Sequence, residues 1–269
     1  MKTAICTGFN RDIPFEKAVS MIKEAGFEVI SMDARPEYSH YDRSEGCRLI
    51  GKLMERNKLE IDSVHAPFPE GDRLFSLDED ERAESIRQCK SAFDAASELD
   101  GKIVVIHLIP YGIPEGATRR KMVERGKSSV NNLANYALGK GLKLALENGQ
   151  QKDYDEVLVR LLSEFRDDSV GFCYDSGHEN VQGTCFNILK ELGHRLLTTH
   201  LHDNTGTDTH MLPYEGTINW TEFRTTIRNL DYSGNLLLEP MMSNSRFREP
   251  VQFLFEAARS AATLLTPVY

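Results

Sequence analysis

No stretch of the 269-residue sequence approaches the ~20 consecutive apolar residues that cross a bilayer, so no membrane partner is expected. The opening residues, MKTAICTGFN, lack the apolar segment of a secretory signal. Cysteine is scarce. Cys6, Cys47, Cys89, Cys173 and Cys185 are odd in number and form no C-x-x-C, which predicts reduced thiols in a cytoplasmic protein. No low-complexity tract or Pro/Gly/Ser-rich linker divides the chain, so residues 1–269 are read as one domain. No G-x-G-x-x-G or G-x-x-x-x-G-K-[ST] follows an apolar run, which removes the best signal for nucleotide binding. Positive charge is also in deficit. Against 41 Asp and Glu stand 32 Lys and Arg, and a net charge of −9 offers no general attraction to nucleic acid or anionic lipid.

What is present is a regular alternation. Eight short, largely apolar or β-branched runs read as strands: residues 3–9, 27–33, 59–66, 102–109, 142–148, 170–176, 195–202 and 235–240. Near-continuous apolar strands suit a parallel sheet covered on both faces. Between them, apolar residues recur at three- and four-residue spacing. The spacing predicts helices over 14–25, 79–99, 117–139, 153–165, 184–193, 220–230 and 249–264, with Asn219 as an N-cap. The length is excessive for an ordinary domain but normal for a (β/α)₈ TIM barrel, and that is the expected fold.

In such a barrel the functional site forms at the carboxyl ends of the strands. Here those ends hold His65, His107, Glu147, Asp175, His178, His200, His202, Asp203, Asp208, His210 and Glu239. Six of the eight histidines fall there; only His40 and His194 do not. Taken singly, most have plain readings. A strand-end histidine is commonly a hydrogen-bonded core residue, Asp175 could be a helix N-cap, and Asp203 and Asp208 could solubilise a loop. Glu147 and Glu239 each follow an apolar run, and a carboxylate buried there requires a cation or a proton. So many ligands on one rim point to a metal site. Mixed imidazole and carboxylate donors suit Mn²⁺, Zn²⁺, Co²⁺ or Fe²⁺, and Mg²⁺ is retained among the candidates.

The motifs SVHAPF, VVIHLIP, LALEN, CYDSGH, THLHDN, DTHMLPYEGTINW and LLLEP, in this order, resemble the xylose isomerase-like barrel superfamily across essentially the whole chain. That superfamily includes sugar isomerases and epimerases and also endonuclease IV. The resemblance implies a shared metal held by Glu147, Asp175, His200 and Glu239, the H-x-x-D spacing selecting His200 over His202. His202 then lies at i+2 on the same face, a candidate substrate contact. The three-zinc cluster of endonuclease IV also uses residues matching His65, His107, His178, Asp208 and His210, so these are candidates for a second metal cluster or for substrate contacts. Ketose 3-epimerases of the superfamily place an arginine six residues after the strand-7 metal histidine; here that residue is Gly206.

The expected function is therefore a metal-dependent isomerase or epimerase of a small sugar, sugar phosphate or related hydroxy-carbonyl compound. Glu147 and Glu239 would move the proton through an enediolate, and His178 would stabilise the developing oxyanion. A polyol dehydratase would use the same parts. The competing reading is an endonuclease IV-like zinc phosphodiesterase acting on abasic DNA, with Arg35, Tyr38, Tyr41 and Arg43 as contacts. The expected partner is a small-molecule carbohydrate rather than nucleic acid, with self-association into a homo-oligomer left open.

Overall fold

The computed structural model describes residues 1–109, 113–166 and 168–266. Eight strands are present: β1 (Thr3–Cys6), β2 (Val29–Met32), β3 (Glu60–His65), β4 (Ile103–Ile106), β5 (Lys143–Glu147), β6 (Val170–Asp175), β7 (Leu196–His200) and β8 (Leu236–Leu238). All neighbouring pairs are parallel, in the order β7-β6-β5-β4-β3-β2-β1-β8. The ring closes through a parallel bridge between Leu201 and Leu238, where Leu201 N–H donates to Leu237 O and Glu239 N–H to Leu201 O. The closing seam thus runs beside the strand ends that carry His200 and Glu239. This is the single-domain (β/α)₈ barrel that the alternation predicts.

Strand period explains which residues reach the interior. Val105, Ala145 and Cys173 pack together as a small apolar cluster separate from the main core, and Ala4, Val29 and Leu237 form another. Side chains two residues further along share the same face. That step leads from Val105 to His107, from Ala145 to Glu147, from Cys173 to Asp175 and from Leu237 to Glu239. Small residues fill the barrel below, and polar residues crown it. At its base a register shift after Ile30 opposes two residues of β3 to one step of β2, and Asp62 is turned inward. Its carboxylate accepts from Thr198 Oγ1 at 2.7 Å and Asn235 Nδ2 at 2.8 Å.

The helices pack outside, and their apolar faces form the large core against the sheet. Most lie within a few residues of their sequence-based limits, for example Phe15–Glu24, Glu79–Glu98 and Pro250–Leu265. The side chain of Asn219 accepts from Glu222 N–H, as its expected capping role requires. A 14-residue helix, Ser44–Asn57, is an addition to the expected set. It buries Cys47, Ile50, Leu53 and Met54, but two internal glycines mask the pattern. One has a packing reason, since a Cβ at Gly46 would run into the His40 carbonyl. The segment after β6 also forms a short helix, Ser176–Val181. All five cysteines are free, and no described helix is long and apolar enough to cross a membrane. Pro110, the last residue of the VVIHLIP motif, lies outside the described residues.

Candidate active site

The inward residues at the strand ends converge. One ligand atom each from Glu147, Asp175, His200 and Glu239 lies within 4.8 Å of the others. His200 Nδ1 is the common point: Glu147 Oε2 is 3.1 Å away and Glu239 Oε2 3.3 Å away. The two glutamates therefore meet over His200. Donors bound at ~2.1 Å around one divalent ion are ~3.0–3.4 Å from each other, so this spacing is that of a coordination shell.

The hydrogen-bond accounting points the same way. Glu147 Oε2, both nitrogens of His200, His107 Nε2, His202 Nδ1 and Asp208 Oδ1 are buried without a hydrogen-bond partner among the described residues. Such atoms are costly to bury unless a cation or a ligand satisfies them. The four-residue group can therefore hold a divalent ion. Two further groups, His65–Glu147–His200 and His202–Asp208–His210, have comparable spacing.

Three of the six rim histidines are oriented by backbone. A carbonyl can only accept, so His65 Nδ1–H donates to Ala66 O, His178 Nδ1–H to Asn148 O and His210 Nδ1–H to Glu239 O, each at 2.8 Å. This leaves Nε2 of each ring to face the site. His65 Nε2 is 3.5 Å from Glu147, while the Nε2 atoms of His178 and His210 lie 3.6 and 3.5 Å from Asp208. His107 is held by a side chain instead, its Nδ1 3.1 Å from Asp72 Oδ2, with Nε2 3.2 Å from Glu147 Oε2.

Asp175 does two jobs. Its Oδ1 accepts from His178 N–H at 2.7 Å, which caps the short helix, and its Oδ2 is 3.0 Å from His202 Nε2. The capping and ligand readings are thus compatible. His202 itself is fully buried, with its ring stacked on that of His210 at 3.8 Å. In that position its Nε2 faces Asp175 and its ring is shut off from solvent.

The electrostatics are those of a crowded carboxylate–imidazole cluster. Burial pushes the Glu147 carboxyl up, but His200 and His107 outweigh this and hold it well below the usual range. Burial pushes His178 down, yet Asp175, Asp208 and Glu147 raise it to about 10. Burial likewise pushes His210 down, and Asp208 and Glu239 override it and raise it to about 9. Without an ion the site is compensated by protons on imidazoles.

Two residues missing from the sequence-based reading as functional groups have clear roles. Asp72 lies in an acidic loop without periodicity, so nothing in the chain singles it out as the partner of His107. Asp203 is not a loop solubiliser. It is fully buried and accepts four hydrogen bonds, from Asn204 N–H, Tyr214 N–H, Ile218 N–H and Trp220 Nε1–H, at 2.7–3.1 Å. It thereby shapes the connection from β7 to β8 that carries Asp208 and His210. Asp203→Ala should strand these donors and cost ~2–3 kcal/mol, the loop taking in water to relieve part of the loss. Denaturant titration checks this, and an unchanged midpoint would contradict it.

Of the residues put forward as DNA contacts, the two tyrosines are not free for that task. Tyr41 is buried, its hydroxyl donating to His65 O at 2.8 Å, and Tyr38 donates to Ile13 O at 2.9 Å while packing edge-on against Phe15. Both rings support the barrel rim from behind. Arg43 is exposed beside Asp42, and Arg35 lies over the Phe68 ring.

Above the cluster is a cavity of about 270 Å³, lined by His65, His107, Glu147, His178, His210 and Glu239 and, on the far wall, by Arg11, Asp33, Arg35 and Phe68. A closed parallel barrel with a buried imidazole–carboxylate group at the carboxyl rim, opening into a small cavity, is thus the class of protein defined by the fold and site. The model of the family Xylose isomerase-like TIM barrel matches residues 19–257, and the chain belongs to that family. Similar proteins include the uncharacterized protein MJ1311 of Methanocaldococcus jannaschii, 27% identical over 251 residues that cover 89% of this chain and 83% of the relative. A D-tagatose 3-epimerase-like protein superposes with a TM-score of 0.81 at 24% identity, covering 98% of both chains. The 3-keto-D-glucoside 4-epimerase YcjR of E. coli superposes with a TM-score of 0.74 at 17% identity, covering 98% of this chain and 97% of its own.

Proposed function

We propose that the protein is a metal-dependent isomerase or epimerase of a small hydroxy-carbonyl compound of the sugar class. The observation that carries this is the meeting of two carboxylates, Glu147 and Glu239, over His200 beneath a cavity of about 270 Å³. That volume suits a small molecule. Solved proteins with the same fold include a 3-epimerase-like protein and a 3-keto-D-glucoside 4-epimerase, which fits the reading.

The reaction needs a carbon acid next to a carbonyl, a base to take its proton and an acid to return one. A divalent ion at Glu147, Asp175, His200 and Glu239, chosen from Mn²⁺, Zn²⁺, Co²⁺ and Mg²⁺, would supply the charge that stabilises the oxygen beside that carbon. Glu147 is nearly fully buried, so its carboxylate stays dry and placed. Glu239, beside the same His200 nitrogen and partly open to the cavity, is the second proton carrier. His178 faces the same space with Nε2 available to a substrate oxygen. Gly206 stands where ketose 3-epimerases have an arginine, and a Cβ there would meet nothing within 4 Å, so this chain leaves that part of substrate recognition open.

The test is exchange. Protein reconstituted with Mn²⁺ or Co²⁺ is incubated in D₂O with C3–C6 ketoses and their acids and phosphates, and deuterium at the carbon beside the carbonyl is read by NMR. Incorporation is expected with at least one of them, at about one bound metal per chain. Salt-sensitive cleavage of duplex DNA at an abasic site, with close to three zinc ions per chain, would overturn the reading in favour of the phosphodiesterase.

A further inference from the structure

The wall of the cavity away from the metal group holds two guanidinium groups in different situations. Arg11 is spoken for: its Nε and Nη2 donate to the two oxygens of Asp33 at 2.6 and 2.7 Å, a bidentate pair that cancels its charge. Asp33 is buried and closely fitted, since a Cβ at Gly8 would collide with its carboxyl group. Arg35, two residues beyond, has no carboxylate and no side-chain hydrogen bond among the described residues. Its guanidinium lies over the face of Phe68, 5.5 Å from the ring centroid. The β2 and β3 loops that present the two residues are tied by a hydrogen bond from Phe68 N–H to Ala34 O at 3.0 Å. Phe68 in turn stands edge-on to His107 at 5.8 Å, so Arg35 is two ring contacts from the metal group.

We infer that Arg35 is an anion receptor and that the substrate carries a carboxylate or phosphate at the end remote from its reacting carbonyl. A guanidinium held over an aromatic ring, half-buried and without an anionic partner, has its donors free for a planar or tetrahedral anion. The rest of the cavity is rich in carboxylates, and these would repel an anion placed elsewhere. Among the described residues, Arg35 is the one place on this wall where a negative group meets an uncompensated positive one. The inference rests on the isomerase reading for the other end of the substrate and deepens it.

The probes are D-fructose, D-fructuronate and D-fructose 6-phosphate, 2-ketoses that differ at C6 only. Their binding to Mn²⁺-loaded wild type and Arg35→Gln is measured by calorimetry, together with deuterium exchange. One or both anions should bind wild type about tenfold or more tighter than D-fructose, the usual worth of a charge-assisted contact. Arg35→Gln should erase that preference and leave D-fructose within about twofold, since Arg35 supports no other described side chain but Phe68. Whichever anion gains more identifies carboxylate or phosphate. Equal affinities in wild type, binding of neither anion, or a uniform loss in Arg35→Gln would each overturn the inference. Exchange with D-fructose but no anion preference sinks Arg35 alone. An Arg35-dependent preference without exchange of any probe sinks the isomerase reading and spares the anion site.

Discussion

Glu147→Gln is expected to lower proton exchange at least about 10³-fold while leaving the barrel folded. General acid–base groups contribute ~10²–10⁴, and this residue would also lose its charge toward the ion. Glutamine keeps the shape and one oxygen but cannot accept the substrate proton. Because Glu147 Oε2 lies 3.1–3.5 Å from His65, His107 and His200, the loss should also reduce metal content. Glu239→Gln should reduce exchange comparably and metal content less, since Glu239 is 18% exposed and touches His200 and, at 3.9 Å, His210. Exchange rates, metal analysis and far-UV circular dichroism on the same preparations separate the effects. A Glu147→Gln protein that retains metal and more than a tenth of the wild-type exchange would remove Glu147 from the proton path.

Stripping the ion should lower the melting temperature without unfolding the protein at 25 °C. An ion bound only by the native state at ~1,000 times its Kd adds ~4 kcal/mol. For a chain of this size that is ~8–15 °C. The barrel survives because its core, in the outer layer between sheet and helices, owes nothing to the site. The gap should widen with pH. In the metal-free protein, His178 is raised to about 10 and His210 to about 9 from an ordinary value of 6.5. A raised histidine contributes stability that is complete below its unfolded value and disappears as the pH passes its folded value. The metal-free form is therefore best compensated near pH 6 and loses that support toward pH 9–10. The loaded form needs its imidazole ligands unprotonated and gains over the same range. Melting curves with and without chelator at pH 6 and pH 9 check the sign; a gap that narrows would mean that the imidazoles do not face the ion.

How much of this was readable from the chain depends on the range of the interaction. The strands are legible because short apolar runs such as IVVI and LAL, bounded by turn residues and alternating with amphipathic segments, suit a sheet covered on both faces. The helix Ser44–Asn57 has a weak sequence signal because Gly46 and Gly51 interrupt its pattern. The reason for Gly46, the nearby His40 carbonyl, is a packing contact that exists only in the folded chain. Tyr38 and Tyr41 read as exposed aromatics in a polar stretch, yet the loop folds back and their hydroxyls satisfy backbone carbonyls behind the rim.

The sequence by itself determined the barrel and the rim that carries the chemistry. Both follow from local rules: apolar runs alternating with amphipathic segments, and a side-chain period of two that turns Glu147, Asp175 and His200 to the same interior as Ala145, Cys173 and Thr198. Only the tertiary structure decided how these groups meet. Closure of the ring at Leu201 and Leu238 brings Glu239 to within 3.3 Å of His200. Backbone carbonyls from neighbouring strand ends choose the nitrogen that His178 and His210 present. Asp72 finds His107 across 35 residues, and Asp203 gathers donors from a loop that follows it. Asp33 neutralises Arg11, while Arg35 has no carboxylate partner among the described residues. These are charge and hydrogen-bond pairings between distant residues, and spacing along a chain carries no record of which carboxylate a cation will reach.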